Sequence, residues 1–200
     1  MSSKQPRLSR AGRPREQGLD ERIIQAAQRI IERGEKVTVD SVVQESGASR
    51  ASVYRRWPSL TNLVAGALDD GREGKPVVDV SGTIKDGLIK MLFINSVQSQ
   101  GSGYTEQRFR KRIELTISDP KLQQVYWRSH VTKRRETPLR ALELAKERGE
   151  IRQDADIEAA LDAMYGTFYY QLTVRGLSFH DRESQTRSLK AFEMIWSGMQ

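Results

Sequence analysis

The chain has 200 residues, no cysteine, two histidines, 37 % hydrophobic residues and a formal net charge of +7. Its length fits a small domain of about 50 residues joined to a larger one. The lack of cysteine excludes disulfides, thiol nucleophiles and Cys-held structural zinc, and no apolar run of about 18 residues could span a membrane. No apolar stretch opens the sequence, so no secretory signal is expected and a cytoplasmic, nucleoid-associated location is.

Charge is uneven along the chain. Residues 1–68 hold 12 Lys+Arg against 7 Asp+Glu, and the first fifteen residues carry five bases and no acid. Residues 1–18 lack apolar periodicity and read either as a flexible basic arm for a polyanion or as a solubilising tail. A first helix follows, with Asp20 as a cap and Ile23, Ala26, Ala27, Ile30 and Ile31 on one stripe at 3.6-residue period; Gly34 stops it. Thr38 caps a short second helix with Val39, Val42 and Val43 inward, and Gly47 ends it. Ser49 caps a third helix over Arg50–Arg56, Pro58 blocks its continuation, and a fourth begins at Ser59 with Leu60, Leu63, Val64, Ala67 and Leu68 on one face.

Residues 71–82 are a breaker-rich connection. Helical period returns from Thr83 to about Gln98, and after Gly101-Ser102-Gly103 from Thr105 to Ile117. Asp119-Pro120 caps and opens a long helix that Pro138 is expected to kink or split and Gly149 to stop. Ile157–Val174 is the most apolar stretch, and Ser184–Met199 closes the chain. The expected fold is all-α with about nine helices: a flexible arm at 1–18, a three-helix N-terminal domain at 19–68, and a larger helical region at 69–200.

The second and third helices around Gly47 form a helix-turn-helix pattern. Val53 points inward, while Arg50, Ala51, Ser52, Tyr54 and Arg55 point outward with the chemistry to meet base edges and phosphates in a major groove. The stretch from Val39 to Ser59, with its valine pair, Gly47-Ala48-Ser49 turn, Val53-Tyr54 step and Trp57, resembles the signature of the TetR family of transcriptional regulators. The match covers roughly residues 19–68, and residues 165–176 resemble one C-terminal subtype. The resemblance implies a homodimer that binds a palindromic double-stranded DNA operator and is released from it by a small-molecule effector. An activator or a ligand-independent regulator of the same fold is the nearer alternative. A helical enzyme is the distant one, since no nucleophile elbow or phosphate loop is present.

One position departs from the pattern. The family usually carries Lys, which binds a phosphate, just after the serine that opens the fourth helix; this chain has Leu60. Arg13 and Arg15 of the arm resemble a minor-groove element that would restore the contact.

The DNA-contact set is therefore Arg13, Arg15, Thr38, Ser49, Arg50, Ala51, Ser52, Tyr54, Arg55 and Arg56. Met91, Phe109, Ile113, Tyr126, Trp127, His130, Met164, Phe168 and Tyr169 either line an effector cavity or complete the core. Tyr165, Phe168, Leu172, Phe192, Ile195, Trp196 and Met199 are candidates for a dimer interface built from the last two helices. The basic run Arg108, Arg110, Lys111 and Arg112 reads as a solvated face. No catalytic residue, metal site or cofactor is expected, the two histidines being 50 residues apart.

Overall fold

The structure, a computed structural model, describes residues 18–72, 76–95 and 104–200. Arg13, Arg15 and the Gly101-Ser102-Gly103 break lie outside these residues. Among the described residues all regular structure is helical, in nine helices, and no helix is long and apolar enough to cross a membrane.

The first four helices build a head. Helix α1 (Leu19–Glu32) starts one residue before Asp20: Gly18, in the left-handed region, is its N-cap, and Asp20 sits in the first turn, where its charge favours the helix dipole. Ile23, Ala26, Ala27 and Ile30 are fully buried. Helix α2 (Val39–Ser46) opens on a capping box: Thr38 Oγ1 accepts from the Ser41 amide, and the Thr38 amide donates to Ser41 Oγ. Gly47 turns the chain at φ 69°, a conformation that a side chain would strain. Helix α3 (Arg50–Arg56) is capped by Ser49 and helix α4 (Leu60–Asp69) by Ser59, each serine oxygen accepting the amide three residues on. Val42, Val53 and Leu63 close the head's core, each contributing about 1.5–3 kcal/mol by burial.

The body holds five helices. Helix α5 is α-helical over Ile84–Ile89 and passes into a π-helical stretch, Lys90–Asn95. Helix α6 spans Glu106–Ser118. Helix α7 runs through Pro120–Tyr126, a π turn at Trp127–Val131, and Thr132–Glu147. Helix α8 runs through Ile157–Tyr169 into a second π turn, Tyr170–Val174, and helix α9 covers Arg182–Met199, starting two residues earlier than its apolar period suggests. Pro138 neither splits nor ends α7; it is buried within the last segment, and the irregularity of that helix lies upstream in the π turn.

Two apolar clusters result. One is the head's core, which continues into the body through Leu122 and Tyr126 of α7. The other joins α5, the C-terminal part of α7, α8 and α9 around Leu88, Leu142, Leu161, Phe192 and Trp196. Gly87 lets Val78 and Asp79 lie directly on α5: a Cβ there would come within 2.1 Å of the Asp79 carbonyl oxygen.

Candidate nucleic-acid interface and effector site

The exposed face of α3 follows from its phase. With Val53 only 2 % exposed, Arg50, Ala51, Tyr54 and Arg55 fall on the opposite side and meet solvent. Ser49 is also exposed, whereas Thr38 and Ser52 are half-buried and engaged in the caps of α2 and α3. Arg50 is not idle: its Nη2 donates to Asp40 of α2. Both side chains are more than half exposed, so the pair is worth about 0–1 kcal/mol and yields readily to a stronger anionic partner. Arg56 is turned away from the outer face. Its Nε meets Asp20 of α1 and its Nη1 donates to the Ser52 carbonyl, which fixes α3 against α1. Leu60 is half-buried against the head's core, so its position faces inward and would not aim a lysine at a phosphate.

The end of α4 is gripped by the body. Asp69 accepts from Arg134 Nη1 and Nη2 at 2.5 and 2.7 Å and from the Tyr126 hydroxyl at 2.7 Å, and its carboxylate lies 2.9 Å from His130 Nδ1. Burial alone would raise the Asp69 pKa; the bonds from His130, Arg134 and Tyr126 overcome it and hold the carboxyl far below its ordinary range. Arg72 completes the junction, donating to Tyr126 Oη at 3.1 Å, while Arg134 also binds the Arg72 carbonyl at 3.2 Å. Burial pushes the Tyr126 hydroxyl above its usual pKa, so it stays a donor.

Next to this junction lies Arg112, 3 % exposed. Its Nε donates to Tyr104 Oη at 2.9 Å and its Nη2 to Tyr169 Oη at 3.5 Å, and its guanidinium lies over the rings of Phe109 (4.8 Å) and Tyr126 (5.3 Å). Among the described residues no carboxylate pairs with it. Each cation–π contact returns about 0.5–2 kcal/mol, against a burial penalty of several kcal/mol for the ion. A guanidinium cannot shed its proton to escape that penalty.

The predicted effector set divides in three. Phe109, Tyr126 and Tyr169 gather around Arg112, with His130 stacked on Tyr126 at 5.2 Å and Ile113 half-buried on the same helix as Arg112. Met91, Met164 and Phe168 pack in the body's apolar cluster, Phe168 against Phe93 at 5.1 Å. Trp127 is 47 % exposed and carries the buried guanidinium of Arg135 on its ring. An open cleft of about 580 Å³ lies elsewhere, between α1, α4 and α6; Gln28, Ala67, Arg108, Lys111 and Glu114 are among its lining, and none of the predicted effector residues is.

The basic run on α6 is not a solvated face. Arg108 donates to the Ala67 carbonyl, Arg110 to the carbonyls of Leu172 and Leu177, Lys111 pairs with Glu114, and Arg112 is buried. The period was the signal: Phe109, Arg112 and Thr116 share one stripe, and all three are buried. Tyr104, Asp69, Arg72 and Arg134 carry no motif and are joined only by the fold.

The predicted dimer residues also redistribute. Leu172, Phe192, Trp196 and Met199 are at most 5 % exposed within one protomer, and α9 lays Phe192, Trp196 and Met199 into the apolar cluster shared with α5 and α8. They are core residues and leave no surface for a partner. Tyr165, Phe168 and Ile195 are half-buried. The faces of α8 and α9 that do meet solvent present Ala159, Ala163, Gly166, Tyr170, Val174, Leu189 and Met194.

A head with a capped turn, a third helix presenting exposed Arg50, Tyr54 and Arg55, and a helical body gripping the fourth helix make up a helix-turn-helix protein. Residues 93–186 match the family model for the tetracyclin repressor-like C-terminal domain. The chain is 26 % identical over 190 residues to the uncharacterized HTH-type transcriptional regulator YdeS of Bacillus subtilis (strain 168), covering 94 % of each. Its fold matches that of SmeT, the repressor of the Stenotrophomonas maltophilia multidrug efflux pump SmeDEF, at a TM-score of 0.60 and 19 % identity, over 90 % of this chain and 89 % of SmeT. It also matches the flavonoid-responsive regulator FrrA at a TM-score of 0.63 and 17 % identity, over 90 % of this chain and 95 % of FrrA. The chain is thus similar over nearly its whole length to a helix-turn-helix transcriptional regulator, and over residues 93–186 to tetracyclin repressor-like proteins.

Proposed function

We propose that this regulator is a cytoplasmic homodimeric repressor that occupies a palindromic operator through two copies of α3 and leaves it when a small molecule binds the body. The observation that carries this reading is the junction at Asp69, where the last residue of the head's fourth helix is held by three side chains of α7. A ligand that rearranges α7 changes the position of the head only if it prefers one arrangement over the other, and this grip supplies the connection.

In this reading Arg50 and Ser52 reach base edges, Tyr54 and Arg55 bind phosphate, and Ser49 and Ala51 allow close approach. Arg56 and Thr38 hold the reading head in shape. The basic arm with Arg13 and Arg15 adds sequence-independent contacts, so removing residues 1–15 lowers the slope of log affinity against log salt by about 0.9 for each phosphate the arm neutralises. Dimerisation runs through the solvent faces of α8 and α9, where the exposed Tyr170, Val174 and Met194 offer apolar area beside the small Ala163 and Gly166. SmeT is a repressor and FrrA responds to flavonoids, which agrees with this scheme at the level of fold.

The test is a gel shift on DNA from upstream of the chain's own coding sequence, with wild type and Arg50→Ala. Selective retention of one fragment by wild type, abolished in the variant, is the expected result. Equal retention of all fragments by both proteins would remove the sequence-specific reading.

A further inference from the structure

We propose that the body binds an aromatic organic anion, its carboxylate paired with Arg112. This rests on the effector reading above and names the chemical class of the ligand. A guanidinium has five N–H donors, and among the described residues Arg112 uses Nε and Nη2 on neutral tyrosine hydroxyls while Nη1 has no acceptor. The charge balance points the same way. Arg72, Arg112 and Arg134 converge on the junction, and the one carboxylate among the described residues that meets them there is Asp69, already engaged by Arg134, His130 and Tyr126. The site therefore lacks the negative charge that a buried guanidinium calls for, and a bidentate carboxylate supplies it in the geometry of the guanidinium fork.

The surroundings select the rest of the ligand. The guanidinium lies over Phe109 and Tyr126, and Tyr169 packs on Phe109 at 5.6 Å, so the body of the ligand meets aromatic faces. Access is through Tyr169. It is 38 % exposed and its bond to Arg112 is long, at 3.5 Å, so an incoming carboxylate displaces a weak acceptor. Tyr126 stands between the bound anion and Asp69, which places the ligand one side chain from the helix that carries the reading head.

The experiment uses the full chain with 1-naphthoate, benzoate and their uncharged amides as probes. Thermal shift and calorimetry measure binding, and fluorescence anisotropy measures release of the DNA fragment retained in the gel shift. Wild type is expected to bind naphthoate at least tenfold tighter than naphthamide. Arg112→Met is expected to fold at least as well as wild type without ligand, since it removes an unpaired buried charge, and to lose the preference for the acid. The wild-type comparison of acid with amide stands by itself if the variant fails to fold. Equal binding of acid and amide, or no binding of either acid at millimolar concentration, overturns the anion site. Preferential binding of the acid with no release of DNA leaves the site standing and overturns its role as the effector site.

Discussion

The head and the body solve the problem of burial differently. Every buried residue of the head, from Leu19 to Leu68, is apolar, and its charged groups meet at the rim in pairs such as Arg29 with Glu45 and Arg56 with Asp20. The body buries Arg112, Thr116, Arg135, Gln171, Ser184 and Ser188, carries π-helical stretches in three of its helices, and leaves Gln171 Oε1 and Ser188 Oγ without a partner among the described residues. Short capped helices on an apolar core make a unit with one arrangement. Buried polar groups that are only partly satisfied cost stability, and π turns concentrate where helices serve a site. The contrast fits the proposed division of labour, with DNA reading in the head and ligand response in the body.

The largest test of that contrast is Trp196. As a core residue of the body, its replacement by alanine should lower stability by about 3–5 kcal/mol in urea denaturation. Tyr170→Glu and Met194→Glu, on the solvent face, should leave the fold intact and separate the protomers in sedimentation. A Trp196→Ala protein as stable as wild type but monomeric would return Trp196 to the interface and undo the assignment.

Asp69 comes next, because it joins the two regions. Asp69→Asn should cost about 3 kcal/mol, the cost of leaving buried cationic partners unpaired. Its carboxyl is depressed in the folded state, so its contribution is complete above the unfolded value of about 4 and declines as pH falls below it, towards the folded pKa. The gap between the urea midpoints of wild type and variant should therefore narrow as pH falls from about 4 to about 3. A constant gap across that range would show that the charge of Asp69 does not matter.

Arg50→Ala should reduce operator affinity by about 1–3 kcal/mol, leave affinity for random DNA nearly unchanged and barely move the melting temperature, since the bond to Asp40 is exposed. An equal loss on both DNAs would make Arg50 a phosphate contact. The smallest effect is that of Thr38→Ala, about 1 kcal/mol of head stability through removal of the cap, read as faster amide exchange confined to α2. Exchange that rises throughout the body as well would mean that the head does not open by itself.

The head was legible because its signals are local. Thr38, Gly47, Ser49 and Ser59 act within three residues of themselves, and their spacing marks α2, α3 and the start of α4 directly. Legibility stopped where a side chain's role depends on a distant partner. Arg56 reads as a phosphate ligand until Asp20, 36 residues away, is seen to hold it. Trp196 and Phe192 read as surplus apolar area until α5 and α8 cover them. The run at Arg108–Arg112 shows how composition misleads when phase is ignored: four bases look solvated, yet the 3.6-residue period sends Arg112 inward with Phe109 and Thr116.

The π turn in α7 has a consequence for how this lineage could change. Such a turn lodges an additional residue in a helix, and each residue advances the helical azimuth by about 100°. Tyr126 precedes Trp127–Val131 and Arg134 follows it, yet both converge on Asp69. Their convergence is set by the number of residues between them as much as by their identity. Deleting one residue from this turn would restore regular winding and swing Arg134 about a quarter-turn away from Tyr126. The grip on α4 is thus inherited as a count: substitutions in the turn at positions other than His130 preserve it, whereas a single-codon deletion breaks it even if every gripping side chain survives.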